Sequence, residues 1–376
     1  MQLETHDISI DSHLGGQLAY LAEDFDVHVI SCDTGLLDKI KQREGVPTHN
    51  LNMARDPSPL NDLRSLVHLW RLLRRLRPDI INYGTPKASL LGAVAAVATR
   101  IPVRVYTRHG LRQETLSGVG LLAFTMIERL IGALSSLTVC VSPSLKERSR
   151  ELGVLPRRHT VLGAGSANGV DTDHFAAVRV DPQLRTVVRR RYGWDDTDIV
   201  IGFIGRITKD KGIDELCAAY AELSHRGEHS WRLALAGSLE APERLADSTQ
   251  WLLEKDSAIT HLGHVDPSGL YAAADIICLP SYREGLPTVL LEAGAAGLPV
   301  VATSATGIVD VISSRETGLL VEKQDPMALA EALNEMADPD VRQDYGERLQ
   351  NHVSATFSNS QVWENWRQFF LGLVSP

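Results

Sequence analysis

The chain has 376 residues, too many for one ordinary core and enough for two units of similar size, since domains usually run to about 100–200 residues. Hydrophobic residues at 44% and charged residues at 23% exclude both a disordered chain and a membrane-embedded one. The net charge of −9 conceals a division: residues 1–175 carry 20 basic and 18 acidic side chains, residues 176–376 carry 18 and 29.

MQLETHDISI lacks the basic and apolar regions of a signal peptide, so a cytoplasmic location is expected. LETHDISID is poorly apolar for a first strand, and Gly15 and Gly16 match a glycine turn after it only loosely. Short apolar runs then alternate with helical patterns: VHVI at 27–30, DIINY at 79–83, VRVYT at 103–107, LTVCVS at 137–142, then IVIGFIG, RLALAG, DIICLP and PVVAT. Such alternation predicts βα units and parallel strands. The expected organisation is two Rossmann-like α/β domains, 1–177 and 178–358, with 359–376 as a terminal helix that returns to the first domain. The boundary is set after the polar loop GAGSANGVDTDHF, and Trp363, Trp366, Phe369 and Phe370 give the last segment a packing face.

Between Asp56 and Arg158 stand 16 Lys/Arg and seven Asp/Glu, an excess that attracts phosphates or an anionic membrane surface. Without interleaved aromatics or a known nucleic-acid signature, no nucleic-acid binding is expected. LVHLWRLLRRLRP at 66–78 and VGLLAFTMIERLIGAL at 119–134 read either as interfacial helices or as core-packing ones. No run reaches the ~20 apolar residues of a spanning helix. Cys32, Cys140, Cys217 and Cys278 are widely spaced and read as reduced thiols.

Two segments carry chemistry. After IVIGFI come Gly205, Arg206, Lys211 and Gly212, then a helix. A fork and a point cation beside free helix amides form a receptor for a diphosphate, or else are solvated loop cations. In SYREGLPTVLLEA, Pro287 suits a first helical position, so Gly285 and Leu286 lie where amides can meet a phosphate. Glu284 and Glu292, eight residues apart, are too far separated along a helix for a water-activating pair.

GRITKDKG at 205–212, followed by Glu284, seven residues and Glu292, resembles glycosyltransferase family 4. The resemblance implies a GT-B fold, two Rossmann-like domains whose parallel sheets face across a cleft, and a retaining transferase with no metal or other cofactor. It implies that Arg206 and Lys211 grip a nucleotide-sugar diphosphate, that Glu292 binds the ribose and Glu284 the sugar, and that Gly285, Leu286 and, loosely, Gly16 meet the donor. His109, just past VRVYT, resembles the family's active-site histidine. Asp24 and Asp26, or Asp171 and Asp173, follow no strand and are not expected to hold a metal. The loops at 85–92, 108–118 and 162–171 resemble a branch using UDP-sugars and polyprenyl-diphosphate-linked acceptors, which would place Lys87, Arg108 and Arg112 at the acceptor, unless they are plain surface cations; the stretches 66–78 and 119–134 lead to an expected peripheral association with the inner membrane face. The competing readings are a GT-B epimerase of UDP-N-acetylhexosamine and a non-catalytic nucleotide-sugar-binding protein; oligomeric state is not predicted.

Overall fold

A computed structural model describes residues 1–54 and 58–374. Asp56, which bounds the basic stretch, and the last two residues of segment 359–376 lie outside the described residues. The chain forms two compact units, Met1–Gly169 with the terminal helix Asn359–Val374, and Val170–Ser358.

The first unit holds a parallel sheet of β1 (Gln2–His6), β2 (Val29–Cys32), β3 (Thr48–Asn50), β4 (Ile80–Tyr83), β5 (Val103–Arg108), β6 (Leu137–Cys140) and β7 (His159–Thr160), in the order β3-β2-β1-β4-β5-β6-β7. The second holds β8 (Ile199–Ile204), β9 (Trp231–Ala236), β10 (Ile259–Gly263), β11 (Ile276–Leu279), β12 (Val300–Thr303) and β13 (Leu319–Val321), in the order β10-β9-β8-β11-β12-β13. Parallel strands need crossover helices that cover both faces, hence the continuous apolar runs of β8, β11 and β12. In each sheet the order reverses once, between β1 and β4 and between β8 and β11. Loops leaving the strands diverge there and open a crevice at their carboxyl ends.

The first strand forms despite its polarity, at the centre of its sheet. Thr107 Oγ1 donates to Asn82 Oδ1 at 2.7 Å, Asn82 Nδ2 to Gln2 Oε1 at 2.9 Å, and Gln2 Nε2 to Glu4 Oε1 at 3.0 Å. Burying a polar group costs little only when it is hydrogen-bonded, and this chain across β5, β4 and β1 supplies the partners. The strands β3, β7, β10 and β13 were not anticipated, because short edge strands such as Thr48–Asn50 and His159–Thr160 carry no apolar run.

The units divide at 169/170, ahead of the boundary expected at 177/178. Val170 bridges to Ser358, and helix Thr172–Val180 packs onto the second unit: Phe175 meets Tyr271 edge-on at 5.3 Å, and Arg179 Nη1 donates to the Ala274 carbonyl at 3.0 Å. The terminal helix buries Val362 and Trp366 against Val105 and Val139 of the first sheet, with Phe369 and Phe370 beside them. Trp363 Nε1 donates to Asn168 Oδ1 at 2.7 Å. Among the described residues no helix is long and apolar enough to cross a membrane, and the four cysteines are unpaired.

Candidate functional site

In the second unit the switch point between β8 and β11 brings the two chemistry-bearing loops together. Gly212, at φ 72°, starts helix Ile213–Arg226, and a Cβ there would lie 2.1 Å from the Pro280 carbonyl oxygen. Only glycine allows both that backbone conformation and that approach. The loops then join through Tyr282 N–H to the Asp210 carbonyl at 3.0 Å, Arg283 Nη2 to Asp210 Oδ2 at 3.1 Å, and Lys211 Nζ to Glu284 Oε1 at 2.5 Å. Arg206, partly exposed, donates to Glu240 Oε2 at 3.0 Å and lies 4.0 Å from Asp210. Burial would raise the Asp210 carboxyl, but the Thr208 hydroxyl and the cations Arg283, Arg206 and Lys211 hold it below its usual range.

Gly285 and Leu286 lie against Gly307, where a Cβ would come 2.3 Å from the Gly285 carbonyl oxygen. Helix Thr288–Ala295 begins one residue later than expected, with Pro287 as its cap. It carries Glu292, whose Oε2 accepts from the Tyr271 hydroxyl at 2.6 Å. Burial pushes the Glu292 carboxyl up. The arrangement therefore groups Arg206, Lys211 and Glu284 at one sheet edge and sets Glu292 on the helix that follows.

In the first unit His109 follows β5 at the equivalent edge. Its ring stacks on that of His13, with centroids 5.0 Å apart and planes 18° from parallel. A Cβ on Gly84, just past β4, would lie 2.6 Å from His109 Nε2 and 2.7 Å from Glu4 Oε1, so the imidazole and a buried carboxyl share one wall. Burial first, and His13 second, push the His109 imidazole down to about 3, whereas burial pushes the Glu4 carboxyl up to about 7 against the hydrogen bonds of Thr85 and Gln2. His109 thus adds stability above about pH 6.5 that is lost as pH falls toward 3, while the Glu4 contribution declines as pH climbs from about 4.5 to 7. We expect the His109 ring to stay neutral between about pH 5 and 8; an NMR titration with a midpoint near the usual histidine value would refute this.

Two expected contacts are corrected. The Gly16 amide donates to Glu44 Oε1 at 2.9 Å, and the Ala19 amide to Glu44 Oε2 at 3.1 Å, so the glutamate occupies this helix start and the amide is not offered to a donor. Arg108 points into the interior, 0% exposed, and pairs with Glu128 at 2.9 Å, so it is not an acceptor contact. Arg112 does remain at the surface, with its guanidinium 5.1 Å from the Phe124 ring, and Lys87 pairs with Asp62 at 2.8 Å. Asp171 caps helix Thr172–Val180 and Asp24 pairs with Arg367. Among the described residues no three His, Cys, Asp or Glu side chains converge on a metal position.

Sequence reasoning missed Glu4, His13, Asp210, Arg283 and Tyr271. Asp210 and Arg283 were legible as neighbours of motif residues; the other three come to the sites only through packing.

Two Rossmann-like units, each built on a parallel sheet with one switch point, define the GT-B class, and the whole-chain likeness agrees. HepE of Anabaena, solved with UDP-glucose, superposes with a TM-score of 0.78 at 19% identity over 99% of each chain. Residues 13–174 match the model "Glycosyltransferase Family 4" and residues 185–352 match "Glycosyl transferases group 1". The capsular polysaccharide biosynthesis glycosyltransferase CapM of Staphylococcus aureus is 32% identical, over 94% of this chain and 92% of its own. The Escherichia coli UDP-Gal:alpha-D-GlcNAc-diphosphoundecaprenol alpha-1,3-galactosyltransferase is 24% identical over 94% and 90%. The chain belongs to glycosyltransferase family 4.

Proposed function

We propose that this glycosyltransferase moves a hexose, with retention of anomeric configuration, from a UDP-sugar to a saccharide on a polyprenyl diphosphate during assembly of a surface polysaccharide. The observation that carries the reading is the pairing of Lys211 with Glu284, beside Arg206, at the β8/β11 switch point. The names of the Staphylococcus and Escherichia relatives support the polysaccharide and lipid-linked acceptor, and the Anabaena complex supports UDP.

In this reading Arg206 and Lys211 meet the diphosphate, with the loop at Gly285 and Leu286 beside them. Negative charge grows on that group as the glycosidic bond breaks, so fixed cations stabilise the transition state more than the bound donor. We assign no metal or cofactor. Glu284 faces the donor sugar and exchanges its hold on Lys211 for sugar hydroxyls. Glu292 takes the ribose. Neutral His109 hydrogen-bonds the sugar, and Lys87 and Arg112 serve the acceptor diphosphate. Retention follows from attack on the face the diphosphate leaves, which needs an acceptor hydroxyl held against it; orientation supplies much of the rate.

Peripheral membrane association is part of the proposal. Val119, Leu122, Met126 and Leu130 recur along one face of helix Gly118–Leu134 and all are exposed, Val119 at 84%. Leu60, Leu63 and Val67 do the same on helix Pro59–Leu76, which also carries Arg71, Arg74 and Arg75. An apolar stripe flanked by arginines suits an anionic bilayer surface.

Thermal unfolding with UDP, GDP and ADP tests the donor. At 100 times its dissociation constant, UDP should add ~2.7 kcal/mol, roughly 5–10 °C for a unit of this size, and GDP and ADP much less. No shift with UDP would sink the reading.

A further inference from the structure

We infer that Tyr271 is a positioning residue: it locks one oxygen of Glu292 so that the other reads the ribose diol, making the site selective for ribonucleoside over 2′-deoxyribonucleoside diphosphates. The inference rests on the proposed role of Glu292 as the ribose contact.

The geometry is specific. Tyr271, from helix Ser268–Ala273, is 0% exposed. Its hydroxyl donates to Glu292 Oε2 at 2.6 Å and approaches the Val289 carbonyl at 3.3 Å, so the proton lies between a carboxylate oxygen and the helix that bears it. The phenol is held as a donor, since burial and the adjacent carboxylate push its ionisation well above the usual range. The ring cannot swing away. Phe175 meets it edge-on at 5.3 Å, and His174 meets Phe175 edge-on at 4.9 Å.

Glu292 is half-buried, and its Oε1 has no hydrogen bond among the described residues. A free glutamate samples many rotamers, and a ligand that needs one of them must order the side chain as it binds. Here the ordering is done beforehand by a residue that touches no ligand. The oxygen left over keeps two lone pairs, enough to accept from both hydroxyls of a vicinal diol. A site built to bond a hydroxyl discriminates against the analogue that lacks it, because the buried acceptor is then left unpaired.

The test is titration calorimetry of UDP and 2′-deoxy-UDP with the native protein, Tyr271→Phe, Glu292→Asp and Glu292→Gln. The native protein should prefer UDP by roughly 10-fold or more. Tyr271→Phe keeps the ring and deletes only the donor; it should collapse that preference while changing 2′-deoxy-UDP affinity by less than about 3-fold. Glu292→Asp retains the charge but withdraws it from Tyr271, and should lose the preference too, which covers the case of a Tyr271 variant that does not fold. Retention of the native preference by Tyr271→Phe, or equal weakening of both nucleotides, overturns the inference while leaving Glu292 as the ribose contact if Glu292→Gln has lost the preference. Full preference in Glu292→Gln overturns the ribose reading and the inference together.

Discussion

Lys211→Ala is expected to lower turnover by on the order of 10²-fold or more, the usual consequence of deleting a group that stabilises developing charge. The Lys211 side chain is 18% exposed and its ammonium lies 2.5 Å from Glu284. Its position is set by backbone rather than by its own flexible stem: Gly212 packs on the Pro280 carbonyl, and Tyr282 N–H bonds the Asp210 carbonyl, so the loops cannot drift apart. In the proposed reading, removing the ammonium subtracts a cation from the departing diphosphate. That loss acts mainly on the transition state, so kcat should fall more than the donor KM rises. Steady-state kinetics with a UDP-sugar check this, and a near-native kcat would remove Lys211 from the mechanism.

Glu128→Ala is expected to destabilise the first unit by about 3–5 kcal/mol, the cost of leaving a buried charge without its partner. Arg108 is fully buried; Nη2 bonds Glu128 Oε2 at 2.9 Å and the Val154 carbonyl at 3.1 Å, while Nε and Nη1 have no hydrogen-bond partner among the described residues. The Tyr106 hydroxyl donates to both Glu128 oxygens at 3.0 Å and would lose its acceptor as well. The double variant Glu128→Met/Arg108→Met should recover part of the loss, because a buried pair replaced by apolar side chains of similar volume is often neutral, while the Tyr106 hydroxyl stays without its acceptor. Urea unfolding measures both. A loss under about 1 kcal/mol in the single variant would mean that water reaches Arg108 and that the pair is not sealed.

Lys211 and Arg108 mark what reading along the chain can place and where it stops. Lys211 was legible because everything that defines it is local: a strand of apolar residues, a glycine that turns, a cation and a helix start within a dozen positions. Glu284 and Glu292 were legible for the same reason. Arg108 was misread by the same logic, since an arginine just past a strand looks like a cation at a crevice rim. Its direction is decided by Glu128, 20 residues on, and pairing at that range leaves no periodic trace. Gly16 failed similarly, its amide taken by Glu44 from a different helix.

The sequence by itself determined the α/β class, the run of strands with apolar cores, and the two loops that meet between β8 and β11, because backbone periodicity and turn chemistry act over a few residues. Only the tertiary structure decided that polar QLETH is a central strand, that His13 and Glu4 stand beside His109, and that Tyr271 holds Glu292. Each depends on which side chains the packing of non-consecutive elements brings together, from 2.6 Å for Tyr271 and Glu292 to 5.0 Å for the two histidine rings. A buried polar group is tolerated only where such a partner exists. That condition is met in three dimensions, and no spacing along the chain records it.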